Sequence, residues 1–308
     1  HDAYERALKR SKQLADERAD SLIEELKKIG GSPLHAQARA QAAALETELT
    51  QRGHTATTYI GMQFTRPDIT EAVAAAQADG VERLIGLPVY PLCGPSTTIA
   101  ALDALRRAVA SAAWDVELRE IAGWHAHPLY TALRADAIRA IAHANDLNLN
   151  DSHVKLVFSA HGTPIKYLDE GSRYETYVVD SCRRIADALG VADYVIGYQN
   201  HANRPGVQWT QPDITKVIDE IHAETVVVDG VSFLHEQSET LAELDHDLRE
   251  RAESRGLRYF RVPTPHDDAR VAVVLADLVE PLICDRDVEA GLRPCRCREQ
   301  PGVYCLNR

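Results

Sequence analysis

Strand-like and helix-like runs alternate twice along this chain, and that alternation limits the fold more than any other feature. "TATTYIGM" (55–62), "RLIGLPVYP" (83–91) and "DVELREIAGW" (115–124) are strand-like runs separated by helical stretches. A helix then opens at His127–Pro128 and runs to about Asn145, before the polar linker "NDLNLNDSH". The pattern restarts with "VKLVFSAHG" (154–162), "DYVIGYQN" (193–200), "TVVVDGVSF" (225–233) and "LRYFRVPT" (257–264), again with helices between. Strands spaced by helices predict parallel sheets covered on both faces. The expected class is α/β, with two similarly built domains over residues 1–148 and 149–282 and a cysteine-rich tail over 283–308. At the start, the segment to Lys28 reads as a charged amphipathic helix closed by Gly30 and Gly31. A second helix follows, with Ser32 as its N-cap, Pro33 in the first turn and Gly53 after it.

The stretch "LVFSAHGTP" (156–164) sets the functional question. Leu156, Val157 and Phe158 form a buried strand that Gly162 and Pro164 stop, so His161 falls at the strand's carboxyl end. In open parallel sheets that edge is where ligands bind; a histidine hydrogen-bonded within a loop is the plainer alternative. A second informative stretch, "VSFLHEQSETLAELDHDLRE" (231–250), follows a strand and becomes a helix. Glu239, Glu243 and Asp247 stand at i, i+4 and i+8, hence on one helix face. Like charges at that spacing cost a helix roughly 0.2–0.5 kcal/mol per pair. The spacing fits either a solvated acidic face or a ladder of oxygen ligands for a divalent cation.

Composition narrows the classes. With 45% hydrophobic residues in 308, the chain buries a core, and its formal net charge of -12 argues against nucleic acid as a partner. No apolar run approaches the ~18 residues of a membrane span, and the start lacks the apolar region of a signal peptide. The expected location is therefore cytoplasmic, with peripheral membrane contact and oligomeric state left open. Met62 is the only methionine, so the natural N-terminus is expected to be missing. No Gly-rich Walker loop is present, which excludes a nucleotide of that kind. Cys182 reads as a buried helical residue, whereas Cys284, Cys295, Cys297 and Cys305 crowd the tail in a way that suggests metal ligation.

These blocks resemble the ferrochelatases, which insert ferrous iron into a porphyrin. The resemblance runs from about Gly30 to about Leu282. It is carried by "GGSPL" (30–34), "YIGMQF" (59–64), "LPVYP" followed by "STT" (96–98), "FSAHGTP" (158–164), "YQN…W" (198–209) and "SF…ETLAELD" (232–245). It implies two Rossmann-like (chelatase-type) domains with the active-site cleft between them, porphyrin and Fe(II) as substrates, and no nucleotide. By position, His161 matches the family's active-site histidine and Glu239 its paired glutamate, with Glu243 and Asp247 continuing the acidic ladder. Gln63 and Phe64 fall where the pocket is lined, and Thr163, Pro164, Phe233 and Gln237 complete the expected porphyrin pocket. Gln237 replaces a histidine common in the family, while His235 introduces one nearby. The family's opening strand is absent before Tyr4, so either it lies outside this sequence or the first sheet is one strand short. Chelatases that insert cobalt or nickel into related tetrapyrroles, and a non-catalytic tetrapyrrole carrier, are the alternatives; the length and "ETLAELD" favour iron.

The chemistry suits these residue types. A neutral imidazole can accept a pyrrole proton near neutral pH, and Fe(II) accepts both imidazole and carboxylate. Some ferrochelatases hold a [2Fe–2S] cluster, and the resemblance implies Cys93, Cys295, Cys297 and Cys305 as its ligands, with Cys284 as a substitute. A zinc ion on the same thiols and free tail cysteines are the competing readings.

Overall fold

The computed structural model describes residues 19–199, 206–284 and 292–307. The segment 1–18 of the expected first helix, Asn200 of the "YQN" block and 285–291 of the tail lie outside the described residues. Residues 19–28 are helical (α1). Helix α2 (Leu34–Gln51) starts from Pro33, and Ser32 contributes only a long 3.4 Å bond to the Leu34 N–H.

In chain order the next elements are α3 (Ile69–Ala78), β1 (Arg83–Gly86), a π-helical turn (Pro95–Ile99), α4 (Ala100–Ser111), β2 (Glu117–Ile121) and α5 (Pro128–Ala144). The second set is β3 (Val154–His161), α6 (Ile165–Asp169), α7 (Tyr174–Leu189), β4 (Tyr194–Gln199), α8 (Ile214–Glu220) and β5 (Thr225–Gly230). It continues through α9 (Ser238–Leu241), a π-helical turn (Glu243–Leu248), α10 (Arg249–Ser254), β6 (Arg258–Val262) and α11 (Ala269–Ile283). The tail supplies β7 (Arg293–Pro294) and β8 (Val303–Cys305).

Two sheets result, in the orders β1-β2-β8-β7 and β4-β3-β5-β6. The second sheet is wholly parallel and contains all four expected strands. Side chains of β3 divide between its faces as the strand period requires. Leu156, Phe158 and Ala160 pack with Val178, Cys182 and Ile185 of α7, whereas Val157 joins Val226, Val228 and Ile218 on the other face. Cys182 is accordingly buried, as its place in the sequence suggested.

The first sheet departs from expectation. Residues 55–62 form no ladder, apart from an isolated Met62–Asp68 bridge. A cavity lined by both 55–62 and β1 separates them, so the stretch has no neighbour at ladder distance. The tail contributes instead: β8 pairs parallel to β2, with Glu120 opposite Val303 and Ile121 opposite Tyr304.

One buried ion pair fixes the approach to the site. The Arg134 guanidinium on α5 pairs with Asp229 at the end of β5 and donates to the Phe233 carbonyl at 3.0 Å. Both members of the pair are buried. Removing one partner of such a pair costs about 3–5 kcal/mol, because the other charge is left without compensation.

Candidate active site

His161 ends β3, and its backbone is clamped from two directions. Its N–H donates to Ser232 Oγ at 2.9 Å, and the Tyr174 hydroxyl donates to its carbonyl at 2.9 Å. The ring faces acceptors on both sides: Nδ1 lies 2.6 Å from the Gly162 carbonyl and Nε2 lies 3.2 Å from Glu239 Oε1. A neutral ring can donate to only one of them, whereas the imidazolium donates to both. Burial opposes the charged ring, but the Glu239 carboxylate and the Gly162 carbonyl outweigh it and raise the His161 pKa above its ordinary 6.5.

Glu239 sits in the first turn of α9 and also accepts from Gln237 Nε2 at 2.8 Å. Below it, Gln199 at the end of β4 ties the neighbouring backbone to the next acid. Its amide nitrogen donates to the Glu239 carbonyl at 2.8 Å and to Glu243 Oε2 at 3.0 Å, while its oxygen accepts from Ser159 at 2.9 Å.

The acidic segment is not one continuous α-helix. After α9 the chain widens into a π-helical turn in which the Asp247 N–H reaches the Ala242 carbonyl five residues back. Such turns recur at functional sites. Glu239 and Glu243 are half-buried, with 23% of the Glu239 side chain exposed, whereas Asp247 is exposed at 61%. Asp247 meets Lys28 at 2.6 Å. The structure thus brings His161, Glu239 and Glu243 into one bonded group and leaves Asp247 at its solvent end.

Beside this group lies a cavity of about 800 Å³, lined by α2, residues 55–63, β1 and the turn 232–237. His161 and Glu239 are not in its wall; it meets them through Gln237 and Tyr90. The Tyr90 hydroxyl, pushed up to about 12 by burial and then by the Glu239 charge, donates to Gln63 Oε1 at 2.9 Å. Of the expected pocket residues, Gln63, Phe233 and Gln237 line the cavity. Phe64 is 86% exposed, and Thr163 and Pro164 are tied to the Trp209–Thr210 segment, through an isolated bridge and the Thr163 N–H donating to Thr210 Oγ1. His235 also lines it, with its ring buried, Nε2 unpartnered among the described residues, and its pKa pushed down to about 4 by burial and His266.

The sequence did not single out Gln199, Tyr174, Ser232 or Tyr90. Gln199 carried a usable signal, since it ends a parallel strand just as His161 does.

The tail thiols form a separate group. Cys295 lies within hydrogen-bonding reach of Cys297 and Cys305, and burial followed by the Cys295 and Cys297 thiols pushes Cys93 up to about 12. The Tyr177 hydroxyl lies 2.7 Å from Cys297 Sγ. The β7–β8 hairpin sets this spacing, with Arg293 opposite Cys305 and the Cys295 N–H bonded to the Val303 carbonyl at 3.0 Å. Cys284 has other neighbours, His54 and Glu280.

Comparison with known proteins places this geometry in context. Residues 8–282 match the family model described as Ferrochelatase. The chain is 35% identical over 262 residues to a ferrochelatase of Synechococcus elongatus, covering 82% of this chain and 66% of that protein. It therefore spans just under two thirds of that relative's length. To a ferrochelatase of Geotalea uraniireducens it is 30% identical over 256 residues, covering 82% and 77% respectively. Among solved structures, SirB from Bacillus subtilis with Fe3+ superposes with a TM-score of 0.55 at 11% identity, over 80% of this chain and 90% of that one. That likeness is one of fold.

Proposed function

The chain belongs to the ferrochelatase family, and from that premise we propose that it inserts ferrous iron into a porphyrin, a lyase reaction that uses no nucleotide. The observation that supports this most directly is the His161–Glu239 contact at 3.2 Å, beside a largely apolar cavity. Metalation removes two pyrrole protons and strips water from the metal. In its neutral form, His161 accepts the first proton at Nε2 and passes it to the Glu239 carboxylate 3.2 Å away, which releases it to solvent before the second is taken the same way. Glu243 and Asp247 then form an acidic path from solvent towards Glu239, along which a divalent cation sheds water. The cavity wall at Phe233 holds the flat ring by apolar contact, and the Gln63 and Gln237 amides supply polar groups at its edge.

The four thiols at Cys93, Cys295, Cys297 and Cys305 fit a [2Fe–2S] cluster by donor type and by number. Such a cluster would tether the tail to the loop after β1, outside the proton transfers assigned to His161. Thiolate ligation of this kind fits a reducing compartment such as the cytoplasm. We assign the domains as 1–148 and 149–282, with the tail 283–308 returning to the first sheet. Among the described residues, no helix is long and apolar enough to cross a membrane.

The test is anaerobic incubation with Fe(II) and either protoporphyrin IX or coproporphyrin III, following the change in visible absorption on metalation. Turnover with one or both supports the reading. No metalation of either porphyrin, with cobalt or nickel entering a related tetrapyrrole, would replace it.

A further inference from the structure

A second group of donors lies apart from both the His161–Glu239 pair and the tail thiols. Helix α11 ends at Ile283, and Glu280 and Cys284 stand one turn apart on its last stretch. His54 reaches them from the loop after α2. Its Nε2 is 3.1 Å from Glu280 Oε1 and 3.8 Å from Cys284 Sγ, and one ligand atom from each residue lies within 4.8 Å of the others.

The spacing matches a coordination sphere. Zinc bonds of about 2.0–2.1 Å to nitrogen or oxygen and about 2.3 Å to sulfur, set at tetrahedral angles, separate neighbouring ligand atoms by roughly 3.3–3.6 Å. The two spacings to His54 Nε2, 3.1 Å to oxygen and 3.8 Å to sulfur, fall close to that range, and a Glu280 oxygen and the Cys284 sulfur lie within 4.8 Å of each other. The surroundings hold the donors in place. Arg52 donates to the other Glu280 oxygen at 3.0 Å, leaving Oε1 towards His54, and also pairs with Glu48 and Asp277. Among the described residues, Arg52 thus meets three carboxylates, Glu48, Asp277 and Glu280. The buried His127 ring lies 3.3 Å from Asp277. Arg83 and Arg119 take the Leu282 and Ile283 carbonyls, which anchors the helix end bearing Cys284.

We propose that His54, Glu280 and Cys284 bind a divalent cation of the zinc class, with a water completing the fourth position. Imidazole, carboxylate and thiolate together select zinc or cobalt over magnesium or calcium, which prefer oxygen. Binding displaces the Cys284 thiol proton to solvent, so affinity rises with pH. The ion would staple the loop after α2 to the end of α11, a role independent of iron insertion.

The test titrates Co2+, then Zn2+, into the purified full chain, comparing wild type with Cys284→Ser, His54→Gln and Cys297→Ser. Expected are a near-ultraviolet thiolate-to-cobalt band that survives Cys297→Ser and disappears in Cys284→Ser, and displacement of cobalt by zinc. His54→Gln, which leaves the thiol in place, should weaken cobalt binding by more than the roughly 10–100-fold that loss of an outer-shell partner costs. Zinc should raise the melting temperature of wild type but not of Cys284→Ser. Identical cobalt spectra and zinc-induced melting shifts in wild type, Cys284→Ser and His54→Gln would overturn the site.

Discussion

A single amide nitrogen on Gln199 joins the backbone carbonyl of Glu239, at 2.8 Å, to the Glu243 carboxylate, at 3.0 Å. The end of β4 thereby fixes two acids that would otherwise hang on a short helix and a π-helical turn. Gln199 is buried, and its oxygen is occupied by Ser159. Replacing it with Leu strands the Ser159 hydroxyl and removes the amide donor from the Glu239 carbonyl. Gln199→Leu should lower stability by about 1–3 kcal/mol, read as a shift in denaturant midpoint. It should also raise the apparent KM for Fe(II) more than it lowers kcat.

The pH dependence follows from the His161 environment. Its folded pKa is raised, so the pair with Glu239 stabilises the fold fully below about 6.5 and less as pH rises through the folded value. The proton-accepting form is populated above that same value. Glu239→Gln removes the largest raising influence and leaves burial to dominate, which lowers the pKa. The acid limb of the rate profile of this weakened variant should move to lower pH. An acid limb that stays in place would separate it from His161.

The acidic path predicts an order of effects. Glu239→Gln should lose most activity, Glu243→Ala should chiefly raise the metal KM, and Asp247→Ala, at the exposed end beside Lys28, should do so least. Steady-state rates across a range of Fe(II) concentrations would show this order. Asp247→Ala as inactive as Glu239→Gln would contradict it.

The thiol group predicts colour. Anaerobically purified protein should be red-brown and contain iron and sulfide, and Cys93→Ser should lose the cluster spectrum and melt at a lower temperature. A colourless wild-type protein containing zinc would point to the competing ion on the same thiols.

Much of the second sheet was legible in the sequence because each strand is a short apolar run and its partners repeat the pattern. His161 was legible for the same reason, since Gly162 stops its strand at the ligand-binding edge. The first sheet was less so. Residues 55–62 have strand composition, but a strand exists only with a neighbour, and a cavity stands where that neighbour would be. The tail strand Val303–Cys305 was missed because its partner, β2, lies far away in the chain and three residues carry little periodicity. Regular helical spacing suggested a continuous acidic ladder, yet the π-helical turn depends on packing around Leu244 and Leu248 that spacing does not reveal.

The proposed role of His161 as the group that accepts the pyrrole proton is tested most directly by His161→Ala. The measurement is the anaerobic rate of Fe(II) insertion in that variant, with porphyrin binding followed in the same sample. The backbone contacts to Ser232 and Tyr174 do not involve the ring, so the variant should fold and bind porphyrin. Its insertion rate should fall by about 10²–10⁴-fold, the usual contribution of a positioned general base. Insertion within a few-fold of wild type, with porphyrin bound, would contradict the account.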